Sequence, residues 1–200
     1  MQKLHREQLM SLEEYAEQRA AFRRDVMAHK KHRQVPIGAH LRLLFEDYTT
    51  IHYQVQEMLR IERIFERSGI EEELDAYNPL IPDGTNLKAT MMIEYADPDE
   101  RKRQLATMIG IEKCVYLQVD GFDPVHPIAN EDLSRETEEK TSSVHFLRFE
   151  FSPDMIRAWL SGASVWIGVE HAAYHYGPLA LPASVQRALG EDFSPLEVTH

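Results

Sequence analysis

One cysteine, Cys114, stands among 200 residues. That excludes an internal disulfide, and it excludes a zinc or iron–sulfur site built from this chain's own thiols. No apolar run reaches the roughly 20 residues that a bilayer crossing requires, so membrane insertion is not expected. The opening stretch, MQKLHREQLMSLEEY, lacks the apolar core of a secretory signal, and a cytoplasmic location is the expectation. Basic residues are the minority, 22 Lys and Arg against 33 Asp and Glu, for a net charge of -11. Phosphate backbones are bound by basic surfaces, so no nucleic-acid partner is expected. The common catalytic signatures are missing as well. There is no phosphate loop, no dinucleotide GxGxxG, no HExxH zinc helix and no GxSxG nucleophile elbow.

What is present is an ordinary globular composition, 43% hydrophobic and 28% charged. It suits a single domain over residues 1–200, with 1–10 and 190–200 as peripheral tails. The stretch with the clearest pattern is LRLLFEDYTTIHYQVQEMLRIERIFER, from Leu41 to Arg67. Leu41, Leu43 and Phe45 alternate with Arg42, Leu44 and Glu46, the period of a strand. Asp47, Thr49 and Thr50 offer side-chain oxygens to cap a helix. A long central helix is then expected over about 51–67. Ile51, Val55, Met58, Leu59, Ile61 and Phe65 share one arc at 3.6 residues per turn. Glu62 falls in the middle of that arc. His52, Gln56, Arg60, Arg63 and Arg67 form a separate polar, mostly basic stripe.

The remaining elements follow from local signals. Ser11 with Glu14 makes a capping box for a helix ending in the basic run His29 to Arg33. Pro36 and Gly38 break the chain before Leu41. Ser68-Gly69 reads as a helix stop, followed by a short acidic helix from Ile70 to Tyr77. Asn78 to Asn86, NPLIPDGTN, is a rigid loop of turn residues in which Asn78, Asp83 and Asn86 stand out. Asp97-Pro98 starts a helix that Gly110 stops. Val125 to Ala129 reads as a short strand, and Asn130 to Lys140 as a charged helix or exposed loop. Ser152 caps a short helix burying Trp159, and a last helix starts near Pro182. Strands are expected at Leu87–Tyr95, Cys114–Val119, Ser143–Phe151 and Val165–Glu170. Strands and helices mix without regular alternation. The expected class is therefore α+β, a mainly antiparallel mixed sheet packed against helices.

Candidate chemistry rests on polar residues in apolar positions. A buried carboxylate at Glu62 would have to be neutral, paired with Arg or His, or bound to metal. His145 and His171 lie in phase with the apolar faces of their strands. Each is either a hydrogen-bonded core histidine or, joined with Glu62, a ligand for a transition metal such as Fe, Zn or Mn. Glu170 and His175 are weaker additions to that set, since the HxxxH spacing of His171 and His175 serves a metal only on a helix. The stripe of His52, Arg60, Arg63 and Arg67 is either paired to acidic neighbours or a docking surface for an acidic partner. Cys114, at a strand start, reads as a small core residue.

Four phrases, HYQVQEMLRIERIFE, EELDAYNPLIPDGTNLKATMMIEY, EEKTSSVHFLRFEF and GVEHAAY, together resemble a bacterial family filed as a domain of unknown function. The resemblance runs from about Ser11 to Tyr174 and carries no catalytic residues with it. It implies a setting, since genes of that family tend to lie beside rubrerythrin-like and heterodisulfide-reductase-like iron–sulfur proteins. The expectation is thus an accessory or interaction partner of a cytoplasmic iron–sulfur or non-haem iron redox or peroxide-stress system. The competing expectation is a metal-dependent enzyme using Glu62, His145 and His171. Oligomeric state is not set by any of these features.

Overall fold

A computed structural model describes residues 2–132, 135, 137 and 139–194. Its core lies between two antiparallel sheets. β1 (Gln34–Ile37), β2 (Leu41–Glu46), β3 (Asn86–Ile93), β6 (Val144–Glu150) and β5 (Ile128–Ala129) form the larger sheet, in the order β1-β2-β3-β6-β5. β4 (Val115–Val119), β7 (Val165–His171) and β8 (Tyr174–Ala180) form the smaller, in the order β4-β7-β8. The four strands expected in one sheet are thus divided between two. The α+β class stands, and every strand pairing described is antiparallel.

Alternation sets which residues enter that core. Leu41, Leu43 and Phe45 of β2 are buried, as are Leu87, Ala89 and Met91 of β3 and Leu147 and Phe149 of β6. They share one apolar cluster with Val115, Leu117 and Val119 of β4 and Val165, Ile167 and Val169 of β7. Each such side chain withdrawn from water contributes about 1.5–3 kcal/mol, so a one-residue slip of β2 or β3 would forfeit several such terms together. One corner joins the two sheets. Tyr174 of β8 donates its hydroxyl to the Ile37 carbonyl (2.7 Å) and accepts from the His40 amide (3.0 Å). Gly38, with φ of 69°, permits this approach, because a Cβ there would lie 2.6 Å from the Tyr174 oxygen.

Helices close the remaining sides. α5 (Pro153–Leu160) and α6 (Ala183–Gly190) bring Trp159 against Phe151 and Phe193, with ring centroids 5.7 and 5.5 Å away. α4 (Pro98–Thr107) opens on Asp97, whose side chain accepts from the Glu100 amide. On the other face of the large sheet lie α1 (Leu12–Lys30), α2 (Tyr48–Glu62) and α3 (Arg67–Tyr77). Glu46 points to that face and receives the hydroxyls of Thr50 in α2 (2.6 Å) and Thr90 in β3 (2.8 Å). This layer has its own cluster of Leu4, Ile51, Val55, Leu59, Leu74 and Ile81.

Several expectations are corrected. The helix expected over 51–67 spans Tyr48–Glu62, and Arg63 turns left-handed with φ of 56°. Ser68 and Gly69 do not stop a helix but lie inside α3. β1 and β8 form despite Pro36 and Pro178, because a strand at a sheet edge can spare an N–H. Residues 2–10 are no peripheral tail. Leu4 is buried, and its amide and carbonyl both bond the Asn78 side chain (2.8 and 2.9 Å). Phe193 and Asp192 are buried too, while 195–200 lie outside the described residues. The segment 130–140 is described only in part, and the helix-or-loop expectation there falls partly outside the described residues. Asn78, Asp83 and Asn86 serve the fold. Asp83 takes Lys88 (2.9 Å) and Lys3 (3.0 Å), and although burial opposes its ionisation, the two lysines hold its carboxyl down at about 2.

Candidate functional site

The acid that α2 buries is Glu57, not Glu62. Tyr15 of α1, wholly enclosed, donates its hydroxyl to Glu57 Oε1 (2.6 Å). Arg19 grips both carboxylate oxygens, Nε to Oε1 at 2.7 Å and Nη2 to Oε2 at 2.9 Å, and Arg60 adds Nη2 at 3.2 Å. The Arg19 bond chiefly holds the Glu57 carboxyl down at about 2, against the opposing effect of burial. Burial first, and then Glu57, push the Tyr15 hydroxyl well above its ordinary value. Glu62 is exposed, because it is the last residue of α2 and the helical wheel had been continued past the turn at Arg63. Glu57→Gln is expected to cost about 1–3 kcal/mol, since Arg19 and Tyr15 would be left facing a neutral amide. Glu62→Gln should leave the urea midpoint unchanged, and equal losses from the two substitutions would refute this assignment.

The polar stripe comes apart in the same way. Gln56 is fully buried and bonds the Met10 backbone at both ends of its amide, accepting at 2.7 Å and donating at 3.4 Å. His52 lies against Phe22 and Tyr48, with centroids 5.3 and 6.0 Å away, and burial lowers its pKa. Arg60 is committed to Glu57. Arg67 begins α3 and pairs with Glu71 at 2.7 Å. Arg63 and Arg67 are exposed, and for Arg60 and Arg67 the arrangement is the first of the two alternatives, pairing to acidic neighbours.

The proposed metal ligands stand in unrelated places. His145 is completely buried. Its Nδ1 accepts from Asn130 Nδ2 (3.0 Å), and its Nε2 lies 3.0 Å from both the Ser142 carbonyl and the Thr141 hydroxyl. These contacts match the hydrogen-bonded core alternative of the sequence reading. His171 ends β7, with Nε2 on the Ile109 carbonyl (3.1 Å) and Nδ1 accepting from the Ala173 amide (3.2 Å). Glu170 and His175 face each other across the β7–β8 hairpin, both exposed. Among the described residues no three His, Cys, Asp or Glu side chains converge as metal ligands would. Cys114 is half-buried and donates to the Gly110 carbonyl at 3.5 Å, while burial pushes its thiol upward.

Two features were missed by the sequence reading. The first is a buried charge cluster. Arg33 pairs with Asp192 and, through Nε at 3.4 Å, with Asp47, which also meets His29 Nε2 at 2.5 Å. Burial pushes the Asp192 carboxyl up to about 6, with Arg33 pulling the other way. The second is the corner between α2 and α3. Ile61 and Phe65, expected inside, are 61% and 70% exposed. Phe65 lines a groove of about 600 Å³ that runs between the N-terminal turn and this corner, with Leu9, Met10, Leu59, Ile64 and Ile70 also in its walls.

Two facing antiparallel sheets with a helical layer define an α+β protein in which Ile61 and Phe65 are left exposed. The chain belongs to the family described as protein of unknown function DUF3501, whose model matches residues 3–193. It is similar to a novel protein of unknown function from Burkholderia pseudomallei K96243, known from a crystal structure. The two are 50% identical, with a TM-score of 0.92 over 96% of this chain and 100% of that one. No curated protein matches the chain. Among the described residues no helix is long and apolar enough to cross a membrane.

Proposed function

We propose that this protein is an interaction partner, an accessory component of a cytoplasmic iron–sulfur or non-haem iron redox system. The observation that carries the interaction role is the exposure of Ile61 and Phe65 at the α2–α3 corner. The helix period places both residues on the apolar arc, yet Ile61 lies exposed in the last turn of α2, and Phe65 follows the left-handed turn at Arg63, a residue that is not glycine, and is left in water. Exposed large apolar side chains beside a groove with an apolar floor are the usual mark of a surface that another molecule covers. The redox setting rests on the family resemblance alone. The acidic net charge favours a protein partner over nucleic acid.

The test is affinity purification of the tagged chain from its own cells under anaerobic conditions, with Phe65→Ser as a parallel bait. The expected outcome is enrichment of an iron-containing redox protein by the wild-type bait and its loss from the variant. Identical partner sets from both baits, or partners without iron or iron–sulfur centres, would overturn the proposal.

A further inference from the structure

We infer that the groove at the α2–α3 corner receives an amphipathic helix carrying a basic polar face, supplied by a different protein. This rests on the interaction role proposed above and names the surface and the chemistry of its occupant. The groove floor is continuous with the core of the helical layer, because Leu59 belongs to that cluster and Leu9, Leu12, Ile64 and Ile70 pack against it. Its length is set by the N-terminal turn Arg6–Gln8 and the start of α1 on one side and by Ile64 to Ile70 on the other. A groove open to water, with an apolar floor and polar, charged walls, matches the helix-in-groove mode, in which residues at i, i+3, i+4 and i+7 seat on one line. Phe65 then stands at the rim, where it covers the flank of the seated helix, while Ile61 lies outside the lining.

Charge selects the occupant. The groove lining includes Glu7, Glu13 and Glu14 against a single base, Arg6. Outside the lining, Arg67 is bound to Glu71 and feels the charge of Glu7, and Glu62, Arg63 and Glu66 are exposed on the adjoining turn. A second copy of this chain would bring the same acidic rim, on a molecule of net charge -11, into contact with itself. Anionic lipid is disfavoured by the same sign. A helix with Lys or Arg flanking its apolar line answers both the trough and the rim, and the acidic field would also steer it inward.

The experiment displays random peptides about 15 residues long, near the length at which isolated helices become marginal, and selects them on the full chain at physiological ionic strength. Recovered sequences are expected to carry apolar residues at i, i+4 and i+7 with Lys or Arg between them. Synthetic representatives should bind at least about tenfold more weakly to Phe65→Ser, about as well to Ile61→Ser, which lies outside the lining, and more weakly as salt rises. Both sites are exposed, so both variants should fold. Binders that are acidic, that lack the helical spacing, or that ignore Phe65→Ser would overturn the surface assignment while leaving an interaction role elsewhere intact. A dimer seen by sedimentation that Phe65→Ser dissolves would assign the groove to a second copy. Binding to phosphatidylglycerol vesicles that Phe65→Ser abolishes would assign it to lipid. Recovery of no binder at all would overturn the surface assignment, and the interaction role would then stand or fall on the affinity purification alone.

Discussion

Replacing Arg33 with methionine should destabilise the protein by about 3–5 kcal/mol, the usual loss when one member of a buried ion pair is removed. Arg33 is 2% exposed and follows directly on the end of α1. Its guanidinium donates to the Phe45 carbonyl (3.2 Å), the Glu46 carbonyl (3.3 Å), the Ala188 carbonyl (3.0 Å) and the Asp192 carboxylate. Asp47, 3.4 Å from Nε, is also the N-cap of α2 and accepts from the Thr50 amide at 2.9 Å. One side chain therefore fastens the end of α1, the β2–α2 junction and α6. Methionine keeps most of the apolar stem but removes every donor, leaving the Asp192 carboxylate without its cation and Asp47 with His29 alone. Lysine should recover only part of the loss, since it keeps the charge and lacks the planar fork. Urea unfolding monitored by tryptophan fluorescence, from Trp159 against α6 and Trp166 on β7, measures the change. A loss below about 1 kcal/mol would mean that the cluster is not what holds the C-terminal helix.

That cluster also marks where the sequence stopped being readable. Ser11, Asp97 and Ser152 identified helix starts because a cap is a contact across three residues, and all three caps are made. β2, β3, β6 and β7 were legible because alternation is local and their faces differ in burial. The Arg33–Asp192 pair joins residues 159 positions apart, and nothing local marks it. Glu57 was passed over for a related reason. Tyr15 and Arg19 sit one turn apart on α1, but only the packing of α1 on α2 makes them its partners. The wheel that promoted Glu62 failed at Arg63, where the chain adopts a left-handed turn without the glycine that usually announces one. His145 was placed correctly on an inward face, but its partners Asn130 and Thr141 come from the loop before its strand. The open corner had a sequence signal all along, in apolar residues that the periodicity assigned to a core and that the fold left outside.

Stability should depend on pH through two groups with opposite signs. The folded-state carboxyl of Asp192 is raised from its ordinary 3.8 to about 6, chiefly by burial. A raised acid favours the folded state while protonated, so its contribution is full below about pH 4 and is lost as pH climbs through 6. Glu57 is lowered from 4.5 to about 2, chiefly by Arg19. Its contribution is full above about pH 4.5 and is lost as pH falls through 2. Both side chains are largely enclosed, 4% and 12% exposed, so each effect is of the order of 3 kcal/mol. Asp83, also held at about 2, adds to the acid limb, but half of its side chain is in water and its share is smaller. The measurement is the difference in unfolding free energy between wild type and variant, by urea titration at successive pH values. Asp192→Asn should gain on the wild type between about pH 4 and 6.5, because the amide carries no charge to be buried. Glu57→Gln should lose its deficit as pH drops toward 2, where the wild-type carboxylate is itself neutral. A pH-independent difference for either variant would mean that the group it replaces does not titrate differently in the folded and unfolded chain.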